Sequence, residues 1–266
     1  MNYRNIFITL AALSGTVTAS AWSAESATVA FLMPDQASTR YEQHDFPGFK
    51  AEMSKLCADC KVIYQNANAN ASLQQQQFNS VIAQGAKVIV LDPVDSSAAA
   101  ALVENAQAQG VKVIAYDRPV PDKPADFYVS FDNEGIGYAI AKSLTDHLKA
   151  SGVPQDAGVQ PLPPVTGNDA TIAALQLIIA GDQYNTISKP SEIVAAAAAK
   201  VAVDFIQGKK PQASTTLYNT PSQLFTPEVV TAKNIKAEIF DKKIQTWDQV
   251  CSGEYAAACQ KLGISK

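Results

Sequence analysis

Gly85-Ala86-Lys87-Val88-Ile89-Val90-Leu91-Asp92 and Gly110-Val111-Lys112-Val113-Ile114-Ala115-Tyr116-Asp117 are two copies of one pattern, Gly-x-Lys-Val-Ile-x-x-Asp. A shorter copy, Lys61-Val62-Ile63, precedes them, and the three recur at spacings of 26 and 25 residues. Each copy is apolar, rich in β-branched residues and does not alternate with polar ones, as in a parallel strand covered on both faces. Helix-like stretches, 72–84 and 96–109, fill the intervals and end at Gly85 and Gly110, the residue type that helix C-termini favour. Thr28 to Met33 reads as a first strand of the same kind, followed by a helix over 45–56. The pattern is a βαβ series and predicts an α/β doubly wound parallel sheet. In such sheets ligands sit beyond the carboxyl ends of the strands, here 34–41, 66–70, 92–96 and 117–121.

The second half is less regular. Tyr128 to Phe131 reads as a strand, and Asp132-Asn133 offers N-cap chemistry for a helix over 134–150. Residues 152–164 hold no convincing strand. A short Val165-Thr166-Gly167 follows, then a helix over 170–180, a strand over 184–188, an Ala-rich helix over 191–207, extended pieces and a helix-like tail. From 133 to 188 that leaves about two strands, too few for an independent sheet with helices on both faces.

The chain opens with Arg4 and then an uncharged, mostly apolar or small run from Ile6 to Ala21, with small residues placed for cleavage around Ala19 to Ser23. This predicts a secretory signal peptide over 1–23; the run is shorter than the ~20 residues of a membrane-spanning helix. No Cys lies near the cleavage region, so a free periplasmic protein without a lipid anchor is expected. The net charge of −4 is mild and no basic patch is visible, which argues against nucleic acid as a partner.

Four cysteines form two close pairs, Cys57 with Cys60 and Cys251 with Cys259, and in an oxidising compartment both are expected as disulfides. A redox role for Cys57-Ala58-Asp59-Cys60 is the alternative. It is disfavoured because the pair reads as the end of a helix, whereas a redox pair opens one. No metal is expected, since His44 and His147 lack ligand spacing.

Asp117-Arg118 at a strand end brings together a carboxylate that accepts from hydroxyls and a guanidinium that donates in a fixed fork, a pairing suited to a polyol. The competing reading is a surface turn before Pro119. Arg40-Tyr41 beyond the first strand adds a second fork and a ring face for sugar C–H groups. Catalytic readings find no nucleophile elbow, metalloprotease motif or phosphate loop. Gly135-Ile136-Gly137 hints at a dinucleotide loop, but Ile140 stands at the third glycine position. No enzyme and no cofactor are expected.

Several phrases resemble one family: Ala115-Tyr116-Asp117-Arg118, Tyr128 to Glu134, Val165-Thr166-Gly167-Asn168-Asp169-Ala170, Ile187-Ser188-Lys189-Pro190, Thr215 to Asn219, and Leu224-Phe225-Thr226-Pro227. They are similar, in order, to the periplasmic D-xylose-binding proteins, of the ribose- and galactose-binding type that feeds ABC importers. The resemblance implies a type I periplasmic binding protein: two α/β lobes joined by three crossings, closing on a monosaccharide and partnered by an inner-membrane permease, with a monomer expected. It implies a first lobe of 24–131 plus 190–220 and a second of 132–189 plus 221–266. It carries the pocket onto Arg40, Tyr41, Asp117, Arg118, Asp169 and Lys189, with Tyr41 where an aromatic, often Trp, is expected. Between 157 and 161 the family has ~100 further residues, roughly a lobe's core of βα units, including a sugar-facing Trp. The second lobe is therefore expected to be incomplete. Alternatives are a non-binding remnant, a secreted carbohydrate-active hydrolase without a recognisable nucleophile or acid pair, and a repressor core, whose DNA-binding segment would have to stand where the signal peptide does.

Overall fold

The computed structural model describes residues 26–37, 40–152 and 164–266. The expected signal peptide and the join at 157–161 lie outside the described residues.

Five strands and three helices alternate through the first half. They are β1 (Thr28–Met33), α1 (Phe46–Leu56), β2 (Lys61–Asn66), α2 (Ala71–Ala83), β3 (Ala86–Leu91), α3 (Ala99–Ala108), β4 (Lys112–Tyr116) and β5 (Phe127–Phe131). Lys61 and Lys112 open β2 and β4 and Lys87 is the second residue of β3, so the three mark the amino ends of strands in one sheet, as the repeat predicts. Alternate side chains feed two cores. Val29, Phe31 and Met33 join one with Val88, Val90 and Tyr116, while Ala30 and Leu32 join another with Ile89, Leu91 and Phe78. Helices cover both faces, so both sets of positions must be apolar. Gly85 and Gly110 have φ of +84° and +73°, which glycine adopts without the steric cost of a side chain, and both helices stop there.

The chain then leaves this layer. α4 (Asn133–Ala150) starts at Asp132, whose carboxylate accepts from the Gly135 amide at 2.9 Å. After α5 (Ile172–Ala180) and β6 (Asn185–Ser188), α6 (Ser191–Ile206) returns and packs on α1, β3, β4 and β5. Gly48 permits the α1–α6 approach: a Cβ there would stand 3.3 Å from Glu192 Cα. β7 (Thr215–Leu217) and β8 (Thr220–Phe225) complete a seven-stranded sheet of order β2-β1-β3-β4-β5-β8-β7, parallel except at its β7 edge.

β9 (Glu228–Thr231) then pairs antiparallel with β6. The direction follows from the connections, because β6 carries the chain out of the second layer and β9 carries it in. A parallel bridge from Thr166 to Asn185 adds a third partner. The sheet expected to be parallel thus has one antiparallel pair. α4 and α5 pack on it, and α5 shares a core with Ile235, Ile239, Val250 and Ile264, from the segment that includes α7 (Trp247–Val250) and α8 (Ala256–Lys261). Pairs of sulfur atoms at bonding distance join Cys57 to Cys60 and Cys251 to Cys259. The lobe boundary read at 220/221 falls inside β8, whose residues through Phe225 register with β5, so 221–225 lie in the large sheet.

The chain passes between the layers three times, at 131–133, 188–191 and 225–228. These passages are neighbours. The Asp132 amide donates to Phe225 O at 3.0 Å, the Phe131 and Phe225 rings lie 6.3 Å apart, and Ile187 and Val229 join the same core.

Candidate functional site

Polar groups gather where β1, β3 and β4 end, the location expected for a ligand in this kind of sheet. Asp35 follows β1, Asp92 follows β3, and Asp117-Arg118 follows β4. Arg40 and Tyr41 come from the π-helical turn Tyr41–Asp45 and the residue before it.

Asp117 has φ of +60°, uncommon for a residue with a Cβ and strained by roughly 1 kcal/mol or more. Its surroundings enforce it. The Asp117 amide donates to Val129 O at 3.0 Å, and its carbonyl accepts from Tyr128 Oη at 2.9 Å and Ser130 Oγ at 2.8 Å. The Arg118 amide folds back to Tyr116 O at 2.6 Å. This turn sends the adjacent side chains to different partners. Asp117 meets Arg40 Nη2 at 3.2 Å. Arg118 donates through Nη1 to Pro93 O at 3.0 Å and through Nη2 to Asp35 at 3.4 Å, and its Nε lies 3.6 Å from Asp92.

The result is two linked Asp–Arg–Asp chains. In each, one guanidinium is shared between a partly exposed acid and a wholly buried one: Asp117–Arg40–Asp45 and Asp35–Arg118–Asp92. Burial favours loss of the Arg40 proton, but Asp117 and Asp45 outweigh it and hold the guanidinium above its ordinary pKa. Burial raises Asp45 despite Arg40 and the hydroxyl of Tyr116, which donates to it. Burial also pushes Asp92 well above the carboxylate range, and repulsion from Asp117 adds to this. Neither Asp92 oxygen has a hydrogen bond of ordinary geometry; Arg118 and the Tyr41 hydroxyl are its favourable neighbours.

Of the residues expected from sequence, the structure brings Arg40, Tyr41, Asp117 and Arg118 together. Tyr41 differs from expectation. It is buried in the core with the Arg40 guanidinium 5.1 Å above its ring, so it offers no open face to a sugar. Asp169 and Lys189 meet each other at 2.6 Å, and among the described residues no ion pair joins them to the first cluster. Asp35, Asp45, Asp92 and Tyr116 were not singled out from sequence. For Asp92 the signal was present, since it closes one copy of the repeat as Asp117 closes the next.

Residues 29–154 match the periplasmic binding protein domain. A D-xylose-binding periplasmic protein of Escherichia coli K12 is 28% identical over 320 aligned positions, covering 89% of this chain and 96% of that protein. One from Haemophilus influenzae is 25% identical, covering 71% and 82%. Because 320 positions take in only 89% of 266 residues, about 80 positions of the first relative have no counterpart here, somewhat fewer than the sequence reading expected. A solved carbohydrate-transporter solute-binding protein from Chloroflexus aurantiacus, in complex with D-glucose, superposes with a TM-score of 0.72 at 21% identity, covering 84% of this chain and 98% of that one.

Proposed function

We propose that the chain is a periplasmic binding protein of a sugar importer, a solute binder and not an enzyme, and that it takes a neutral monosaccharide, D-xylose first among candidates, between its two layers. The observation that carries this is the network at the ends of β1, β3 and β4. Arg118 and Asp117 keep partly exposed side chains there, a fork donor and an acceptor held by buried partners and by an enforced turn. Such preorganised groups can replace the hydration of several hydroxyls at once. The three adjacent passages supply a hinge, and closure would present the loaded form to a membrane permease. The chain is proposed to act in the periplasm as a monomer.

Affinity is expected to be weak. Closure is driven only by what the closed state adds. The smaller layer offers Asp169 and Lys189, which already satisfy one another. If about three polar contacts of the family are missing at ~1–1.5 kcal/mol each, affinity falls by ~100-fold or more. Calorimetric titration with D-xylose, D-ribose, D-glucose and D-allose, alongside thermal melts, tests both statements. Heat and a raised melting temperature with one pentose, at high micromolar to millimolar concentration, are expected. Silence with every sugar refutes the binding role and leaves a non-binding remnant; low-micromolar binding refutes the weakness.

A further inference from the structure

Asp92 is wholly buried at the end of β3, and both of its oxygens lack a hydrogen bond of ordinary geometry. Arg40 and Tyr41 face it from the turn after β1, Asp117 and Arg118 from the end of β4, and Tyr128 acts on it from β5; Asp35 shares Arg118 with it. From α2, neutral Gln74 donates to the Asp92 backbone carbonyl at 2.9 Å and leaves the carboxyl untouched. Four carboxyls thus surround two guanidiniums. Asp35 and Asp117 keep contact with water, and Asp45 accepts from Tyr116 and Arg40. Asp92 is the acid least supported as an anion.

We propose that the site couples sugar to a proton: the Asp92 carboxyl takes one up as sugar covers the network, so that affinity falls as pH rises. This rests on the proposed sugar site and adds its regulation. A sugar is neutral and brings no charge to balance the acids. It replaces water over Asp35, Asp117 and Arg118, and dehydration costs an ionised carboxyl more than a neutral one. The wholly buried acid, which lacks hydrogen bonds of ordinary geometry, has Arg118, Arg40 and the Tyr41 hydroxyl as its favourable neighbours and stands beside a like charge, responds first. Asp92 acts through Arg118 and is a positioning residue. Protonated, it frees part of the Arg118 charge for the ligand.

The linkage has a definite sign. A carboxyl raised in the folded state contributes stability that is complete below its unfolded pKa and is lost as pH rises through its folded pKa. Ligand-free protein should therefore lose melting temperature as pH rises above the ordinary carboxylate range, and Asp92→Asn, which mimics the protonated acid, should lose less. With D-xylose, calorimetry in two buffers of different ionisation enthalpy should show uptake of up to one proton, with affinity falling by at most about tenfold per pH unit. Asp92→Asn should still bind, with no uptake and a flatter pH profile. Unchanged uptake in Asp92→Asn, or loss of binding by it at every pH while folded, overturns the proposal. If no sugar binds to either protein, the sugar reading has failed and the ligand-free melts still decide the proton: equal pH slopes overturn it. Should Asp92→Asn not fold, Asp117→Asn replaces it, and the pH dependence of melting must move to lower pH once the like charge is gone.

Discussion

Removing Arg118 separates its two connections. In Arg118→Ala the Pro93 carbonyl loses a donor at 3.0 Å, Asp35 loses a partner at 3.4 Å, and buried Asp92 loses a cation at 3.6 Å. Asp117 is held by Arg40 at 3.2 Å and keeps its partner. The stability cost therefore depends on Asp92. The Arg118 side chain is 39% exposed, so its pair with Asp35 is screened and contributes at most ~1 kcal/mol. The hydrogen bond to Pro93 O contributes about 1 kcal/mol. Orphaning a buried charge costs ~3–5 kcal/mol in full, but Asp92 can take up a proton and avoid most of it at low pH. The expected loss is about 1–2 kcal/mol at pH 5 and more at pH 8, read as ~2–4 °C of melting temperature per kcal/mol. Sugar affinity should fall ~30- to 1,000-fold, the effect of losing a charge-assisted fork worth about 2–4 kcal/mol. Melts across pH and titration with D-xylose measure both. A stability cost that stays constant or shrinks from pH 5 to 8 would refute the pairing of Arg118 with an ionisable Asp92. Unchanged affinity in a folded variant would remove Arg118 from the site.

Tyr116→Phe keeps the buried ring and deletes the hydroxyl that donates to Asp45, and it should lower stability by about 1–3 kcal/mol in chemical denaturation; no change would mean Asp45 does not depend on that donor. Lys189→Met breaks a pair whose acid is half exposed, so stability should move by under ~1 kcal/mol while sugar affinity drops, which titration and melting can separate. Intact mass of freshly exported protein, with and without reductant, should show two disulfides, and four free thiols would disprove the oxidised state.

The first layer was legible because its signals are local. The apolar repeat, its spacing and the terminating glycines specify strand, helix and stop within each βα unit, and the order of units sets the sheet. The site was legible only as positions. Asp117 and Arg118 read as a natural pair because they are adjacent, yet the positive φ at Asp117 turns them apart and the true partners come from distant segments. Tyr41 reads as a platform because aromatics beside arginines often line sugar sites, but the π-helical turn points it inward. Neither the turn's hand nor the turn's pitch leaves a trace in residue type.

The second layer shows what a legible helix does when the sheet beneath it is small. Asp132 caps α4 as its sequence predicts, and Thr171 caps α5, which starts at Ile172 rather than at 170. α4 nevertheless buries only Ile136 fully in eighteen residues, and Tyr138 remains 68% exposed. Helix propensity and capping are intrinsic, whereas burial needs a partner surface, and β6 with β9 and one bridge is narrower than the helix is long. The consequence reaches function. The larger layer ties its charged groups to one another through two Asp–Arg–Asp chains. A sugar must then gain its closing energy from the smaller layer, the part whose helices have the least to pack against. Any ligand that binds should therefore stabilise the second layer more than the first. Hydrogen exchange with and without D-xylose should place the added protection on α4, α5 and β6; protection confined to β1–β5 would mean that binding proceeds without closure.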